Sequence, residues 1–469
     1  MKPVLLWSDA LIWLMVAALG LVIWQIRRRE HRAAPWRRLA RSAPAMACLP
    51  LLALFMLIGA LDSLHGRPRL AQDGADGQPV YASEVVSVLD RLLEPLRAGR
   101  ERTYSAPLAT RAWARESVDR PDGSTARDYP RLKHAGTALS DPDDASAYRR
   151  DMAWRAAAGA AAGFVLWLGL VTIVGVWRSR HRGRQAGTDG PTRTARTDAM
   201  FLSLLVITVT AGVMGGLASG YHVLGTDKVG QDVLYLALKS IRTALVIGVL
   251  TTAVMVPLAL GLGIAAGYLG GWVDDLVQFI YTTLNAIPSV LLIAAAVLLM
   301  QVFIDGHPEH FQTAAERADL RLVFLCVILG LTSWTGLARL LRAESLKLRE
   351  LEYVQASRAL GVSALRIMTG HVARNAMHLV IITLAMEFSG LVLAEAVLSY
   401  IGVGVDPSMI SFGSMINAAR LELSREPAVW WSLGAAFGFM FVLVLAANLV
   451  ADAVRDAFDP RTAAGGGGR

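Results

Sequence analysis

Residues 349–361 read RELEYVQASRALG, and residues 362–377 continue VSALRIMTGHVARNAM. This polar, helix-forming segment with a glycine break lies between two long apolar runs, at 321–341 and 377–400. From Glu344 the sequence ESLKLRELEYVQASRAL consists mostly of good helix formers. Leu348, Leu351, Gln355 and Ala359 fall on one face at helical spacing. Gly361 can adopt the left-handed conformation and end that helix. Ser363 is placed to cap a second helix carrying Leu365, Ile367 and Met368. Small side chains at Ala356, Ser357, Ala359 and Gly361 let another protein approach the backbone closely. The residues alone support two readings equally: a loop gripped by a partner, and an amphipathic helix on the inner leaflet.

The rest of the chain makes this a membrane problem. Of 469 residues, 54% are hydrophobic and only 18% charged, and apolar runs of 18 or more residues mark bilayer-spanning helices. Nine spans are expected, at 5–26, 46–64, 153–177, 199–221, 243–268, 276–304, 321–341, 377–400 and 429–450, so the fold class is an all-α polytopic membrane protein. The start of the chain has a single lysine, an interrupting Asp9 and no small-residue cleavage site before Arg27, so a retained first span is expected. The net charge of +8 sits in short arginine clusters beside apolar runs, which set orientation and do not suggest nucleic acid. Residues 27–41 hold seven arginines against Glu30, and residues 178–197 hold six against Asp189. Both loops are expected on the cytoplasmic side, as is the basic loop at 344–376. Alternation then puts the N-terminus outside and the C-terminus inside, in a bacterial cytoplasmic membrane.

The expected organisation is two N-terminal spans joined by a basic loop (1–64), an external insert (65–151), a third span with its basic loop (152–198), a core of six spans (199–461) and a flexible tail (462–469). The insert has 14 basic and 14 acidic side chains, one apolar helix expected at 83–96, and punctuated sequence such as RPDGST. It offers no nucleophile–base pair, and a small cap is expected. Cys48 and Cys326 both lie in apolar runs, which supports neither a disulfide framework nor a thiolate metal site.

The 349–376 segment resembles the EAA motif of ABC-importer permeases, the cytoplasmic coupling loop that docks on an ATPase subunit. The family form is close to E-F-V-E-A-A-R-A-L-G, then I, then H-x-x-P-N-A. Glu352, Val354, Ala356, Arg358, Ala359, Leu360, Gly361, Ile367, His371, Asn375 and Ala376 match it. Ser357 lies within the matched stretch. Gln355 stands where the second glutamate is usual and Arg374 where proline is usual, so a salt bridge from that glutamate does not carry over. Four further stretches resemble the second permease of the dipeptide, oligopeptide and nickel importers: LGTDKVGQDVL (224–234, with Gln231 for the usual arginine), GYLGGWVD (267–274), LAEAVLSYIGVGV (393–405) and NLVADAVRDAFDPR (448–461). Together they cover 224–461 in order. The resemblance implies a permease subunit paired with a paralogous permease, two ATPase subunits and a periplasmic or lipid-anchored substrate-binding protein, with peptides as the substrate class. It implies no cofactor on this chain; ATP and magnesium belong to the ATPase. The first 200 residues exceed the family pattern.

None of the five lysines sits in a G-x-x-x-x-G-K-[ST] context, so no P-loop is present and ATP hydrolysis is expected on a partner. GLGIAAG at 261–267 lies inside an apolar span, where close helix packing is expected and a nucleotide loop is not; Gly212, Gly216 and Gly220 invite the same interpretation. Glu387 and Glu395 fall within a span, where ionisable groups face a cavity or a polar partner; both are candidates for the pathway or its gate. Pro288 is expected to kink its span. His307 and His310 alone are too few ligands for a metal site. Two rival functions remain: a proton-coupled secondary transporter using Glu387 or Glu395, and a membrane scaffold acting through the insert.

Overall fold

Inside a bilayer the backbone must satisfy its own hydrogen bonds, so long apolar runs fold as helices. The computed structural model of the chain describes residues 2–27, 36, 38–40, 42–69, 81–82, 84–119, 125–141, 143–182, 192–307 and 313–458. Most of the first basic loop, much of the second, His310, the RPDGST tract except its last residue, and the tail 462–469 lie outside those residues.

Helix α1 is Trp7–Arg27 and α2 is Ala43–Asp62; the bundle continues with α5 (Ala145–Arg182), α6 (Thr192–Ala218) and α7 (Val233–Leu269). Then come α8 (Gly271–Ala286), α9 (Ser289–Gly306), α10 (Ala314–Arg349), α13 (Ala373–Ile401) and α15 (Trp431–Phe458). Among the described residues, eight helices are long and apolar enough to cross a membrane, and α1 adds a shorter apolar stretch, Trp7–Ala17. The polytopic α-helical fold is therefore as expected, with two corrections. The span expected at 276–304 is divided: α8 ends at Ala286, Ile287 is extended, and Pro288 caps the start of α9. Proline removes a backbone donor and pushes the preceding residue out of the helical region, so the chain breaks where a kink was expected. Several helices also overrun their expected bounds. Helix α7 begins ten residues before the expected 243, because Lys239 and Arg242 find partners within the fold (below).

The insert between α2 and α5 is small and partly β-structured. Strand β1 (Lys2–Val4) pairs antiparallel with β2 (His65–Arg67), which pairs with β3 (Val86–Ser87). The helix expected at 83–96 is instead β3, then α3 (Val88–Leu92) and α4 (Glu94–Ala98). Ser87 and Asp90 form a capping box that starts α3, and Pro95 lies in the first turn of α4, so one continuous helix cannot form. A hairpin of β4 (Glu116–Asp119) and β5 (Thr125–Asp128) completes the insert.

Helices α7 and α10 form the central pair and run parallel, with Gly330 against Val254 at one level and Gly267 against Arg342 further along both helices. At the end opposite the insert, a Cβ on Gly263 would lie 2.7 Å from the Ala338 carbonyl oxygen, and one on Gly267 would overlap Arg342. Here GLGIAAG is a packing seam, as expected, although Gly261 faces open space. A second seam joins α5 to α6: any Cβ on Gly159, Gly163, Gly212 or Gly216 would collide with backbone of the facing helix. Only glycine permits that approach.

Candidate coupling site

Helix α10 leaves the bundle and runs without interruption to Arg349. The chain then breaks at Glu350 and Leu351 before α11 (Glu352–Ala359). Leu348, Leu351, Gln355 and Ala359 therefore do not share one helical face, which corrects the continuous helix expected from Glu344. Helix α11 ends in a complete Schellman motif. Gly361 has φ +80°, its N–H donates to the Arg358 carbonyl, and the Val362 N–H donates to the Ser357 carbonyl. Ser363 stands at the start of α12 (Ala364–Ile367), as expected, but its side chain makes no cap hydrogen bond. A π-helical turn, Met368–Val372, joins α12 to α13, so residues 364–401 form one long helix.

Two apolar anchors hold this loop to the bundle. Val354 is 1% exposed and Ile367 fully buried, packed in a cluster that includes Tyr268, Val277, Leu341, Leu348, Val372 and Ala376. Of the expected docking residues, Ile367 is therefore support and not surface. Glu352, Gln355, Ala356, Arg358, Ala359, Leu360 and Gly361 face out, and Ser357 is half-buried. Leu360 is 84% exposed and Leu365 68%. The Gln355 amide turns back to donate to the Glu350 carbonyl (3.2 Å), which ties it to its own loop.

Tyr353 joins the two halves of the site. Asn375 Nδ2 donates to its hydroxyl at 2.7 Å, the His371 ring lies 5.9 Å away centroid to centroid, and Ser357 Oγ donates to its carbonyl. His371 belongs to the π-helical turn and is half-buried. Beneath the loop, Arg342 on α10 forms a bidentate pair with Asp274 of α8 (2.5 and 2.6 Å). Asp274 was legible as part of GYLGGWVD; its partner was not.

The two glutamates of α13 have different surroundings. Glu395 is 1% exposed, and its Oε1 accepts from Ser399 Oγ (2.7 Å) and Ser411 Oγ (2.9 Å). Ser411 is also the N-cap of α14 (Phe412–Ala419), so Glu395 fastens the α13–α14 corner. Glu387 is half-buried. His307 lies against the Phe303 carbonyl.

At the opposite end, a polar seal that no motif announced joins the extension to the core. Arg242 Nη2 donates to Asp9 Oδ1 (2.6 Å) and Ser8 Oγ (3.0 Å), His65 Nδ1 lies 2.7 Å from Asp9, and the Ser8 N–H donates to Asp319. Lys239 and the Tyr235 hydroxyl converge on Asp90. Burial would raise the Asp90 carboxyl, but the Lys239 ammonium and the hydrogen bonds it accepts bring it to about 2. His222 sits buried between Asp232 (2.7 Å) and Glu101 (3.6 Å). Burial would lower the imidazole, yet the two carboxylates raise it to about 9. The LGTDKVGQDVL segment thus sits under the insert: the Glu101 N–H donates to the Gly230 carbonyl, and the Trp431 indole donates to the Thr226 carbonyl.

Comparison with known proteins places this architecture. The profile of the family described as binding-protein-dependent transport system inner membrane component matches residues 259–464. The oligopeptide transport system permease protein OppC of Mycobacterium tuberculosis (strain H37Rv) is 30% identical over 239 residues, 51% of this chain and 76% of that protein. OppC of Bacillus subtilis is 31% identical over 242 residues (51% and 72%). The glutathione transport system permease protein GsiD of Pectobacterium atrosepticum is 29% identical over 245 residues (52% and 74%).

Proposed function

The chain belongs to the family of binding-protein-dependent inner-membrane permeases of ABC importers, and from that premise we propose that it carries peptides as one half of a two-permease pathway. A paralogous permease forms the other half, two ATPase subunits bind ATP and magnesium, and an external binding protein delivers substrate. Relatives named for oligopeptides and glutathione support a peptide-like substrate. In this reading the N-terminus and insert face outward, and the 350–363 loop and C-terminus face the cytoplasm.

One observation carries the proposal: an exposed turn, pinned by Val354 and Ile367 and ended by Gly361, connects two helices that run the depth of the bundle. Helix α10 has 36 residues and the continuous 364–401 helix has 38, so at 1.5 Å per residue each is about 55 Å long. Displacement of the turn by ATPase closure is delivered as rigid-body tilt to the far end, where Asp319 and Glu395 make their contacts. The ATPase drives the change only through differential contact with this turn in its open and closed states.

The test is Leu360→Asp in the assembled importer. The variant inserts normally but loses co-purification with the ATPase and ATP-driven uptake of a labelled oligopeptide. Unchanged co-purification would remove the assignment.

A further inference from the structure

The extension and the core enclose an apolar cleft that the transport reading does not use. Its lower part, about 630 Å³, runs between α1 and α2, floored by α7 and reaching Leu384 and Phe388 on α13. Its upper part, about 680 Å³, continues under the insert between Leu5, Leu64, Val86 and Val88. Trp13 and Ser63 line both parts, so they form one path from bilayer depth to the sheet β1-β2-β3. Helix α1 packs on α7 and α10, whereas α2 packs on α6, α7 and α15. The two helices therefore face each other across the cleft.

A gap of this size lined by spanning segments is filled by what surrounds it, and the surroundings are acyl chains. Its walls are mostly apolar, and the two charged or titratable side chains that line it, Arg242 and His65, are already partnered by Asp9, so it disfavours water. The strands supply what a headgroup needs. Lys2 and Arg67 are directly opposed in the β1–β2 register, one residue beyond the lining residues Pro3 and Gly66. At roughly 3.3 Å per residue they stand about 10 Å past Leu5 and Leu64, at headgroup depth. Like charges opposed across an antiparallel pair are unfavourable unless an anion lies over them. Arg67 contacts Glu316 only at 3.9 Å, and its buried Nε has no hydrogen-bond partner. Trp7 and Leu5, exposed at the level between, suit the membrane interface.

We propose that this cleft binds one anionic phospholipid of the bilayer. One acyl chain lies between α1 and α2, and the phosphate is held by Lys2 and Arg67. The lipid completes the packing between extension and core and reaches α13 through Phe388.

The test uses the full chain in phosphatidylcholine vesicles doped with phosphatidylglycerol carrying a diazirine on one acyl chain. Crosslinks are expected on the peptides bearing Trp13 and Met56, competed by unlabelled phosphatidylglycerol and not by phosphatidylcholine. Ala60→Trp, which fills the cleft, reduces capture several-fold. The paired Lys2→Gln and Arg67→Gln changes abolish the preference for the anionic lipid, and this variant carries the test should Ala60→Trp fail to insert. Labelling spread evenly over lipid-facing positions such as Leu299, without competition, would mean annular lipid only and overturn the site. Equal capture of both lipids by the unaltered chain overturns the headgroup assignment. Recovery of the chain in native membranes with a lipidated protein's acyl group in the cleft overturns the phospholipid as its occupant.

Discussion

Asn375 Nδ2 donates to the Tyr353 hydroxyl at 2.7 Å, across 22 residues of sequence. This bond ties the first turn of α11 to the base of α13, the two parts of the site that must move together if a partner is to push the bundle through the turn. A hydrogen bond of this kind contributes about 1 kcal/mol. Tyr353→Phe and Asn375→Ala should each lower substrate-stimulated ATPase turnover of the assembled importer without lowering expression. A double-mutant cycle should show the losses to be strongly non-additive; additive losses would mean the bond does not couple the two parts.

Gly361 holds φ +80° while its N–H donates to Arg358. Gly361→Ala places a Cβ in the left-handed region at a cost of roughly 1–2 kcal/mol and should weaken ATPase association modestly. Gly361→Pro cannot reach that φ and loses the donor, so association and transport should both disappear while insertion persists. Pull-down of the ATPase with each variant gives the ranking; equal recovery would sink the account.

His222 gives the insert a pH dependence. Its imidazole rises from 6.5 to about 9 between Asp232 and Glu101. The folded value exceeds the unfolded one, so its stabilisation is complete below about 6.5 and is lost as pH rises through about 9, on the order of 3 kcal/mol. Glu101 is displaced oppositely: burial opposes its charge, but the His222 contact and the N–H groups of Lys133 and His134 lower it, so its contribution is lost toward acid. Once exchange is corrected for its intrinsic base-catalysed rise with pH, protection of residues 99–113 should fall between pH 6.5 and 9 in the native chain. In His222→Gln the corrected protection should be flat across that window.

Gly159 and Gly212 meet backbone to backbone. Gly212→Leu forces α5 and α6 apart and should destabilise their pairing by about 1–3 kcal/mol. Gly215→Leu, one turn-face away with open space at its Cβ, should be tolerated. Limited proteolysis in the loop joining the two helices reads the difference.

Much of the fold was legible because its causes are local. Hydropathy over about twenty residues located the helices, and Gly361 marked the end of α11 because only its own backbone conformation is at stake. The glycine seams were also readable, since spacing along one helix implies a close neighbour. The 350–351 break was hidden because every residue from Glu344 onward tolerates a helix. What opens the chain is the burial of Leu348 and Val354 in one cluster, a tertiary demand that a single straight helix does not meet. The lengths of α7, α10 and α13 were underestimated for a related reason. Charged residues such as Lys239, Arg242 and Arg342 look like span boundaries until their partners are known.

The sequence by itself determined the class of protein, the order of its spans and the position of the turn that a partner would hold, since each follows from residues near one another in the chain. Only the tertiary structure decided what the isolated charges do. Arg242 answers Asp9 from 233 positions away, Lys239 answers Asp90 from 149, and Glu395 receives Ser411 across a corner. Burying a charge requires a specific partner, and no local pattern names a partner that far along the chain. The turn at 349–361 was visible as a shape; that Ile367 is its anchor and Leu360 its exposed face became visible only when the chain closed on itself.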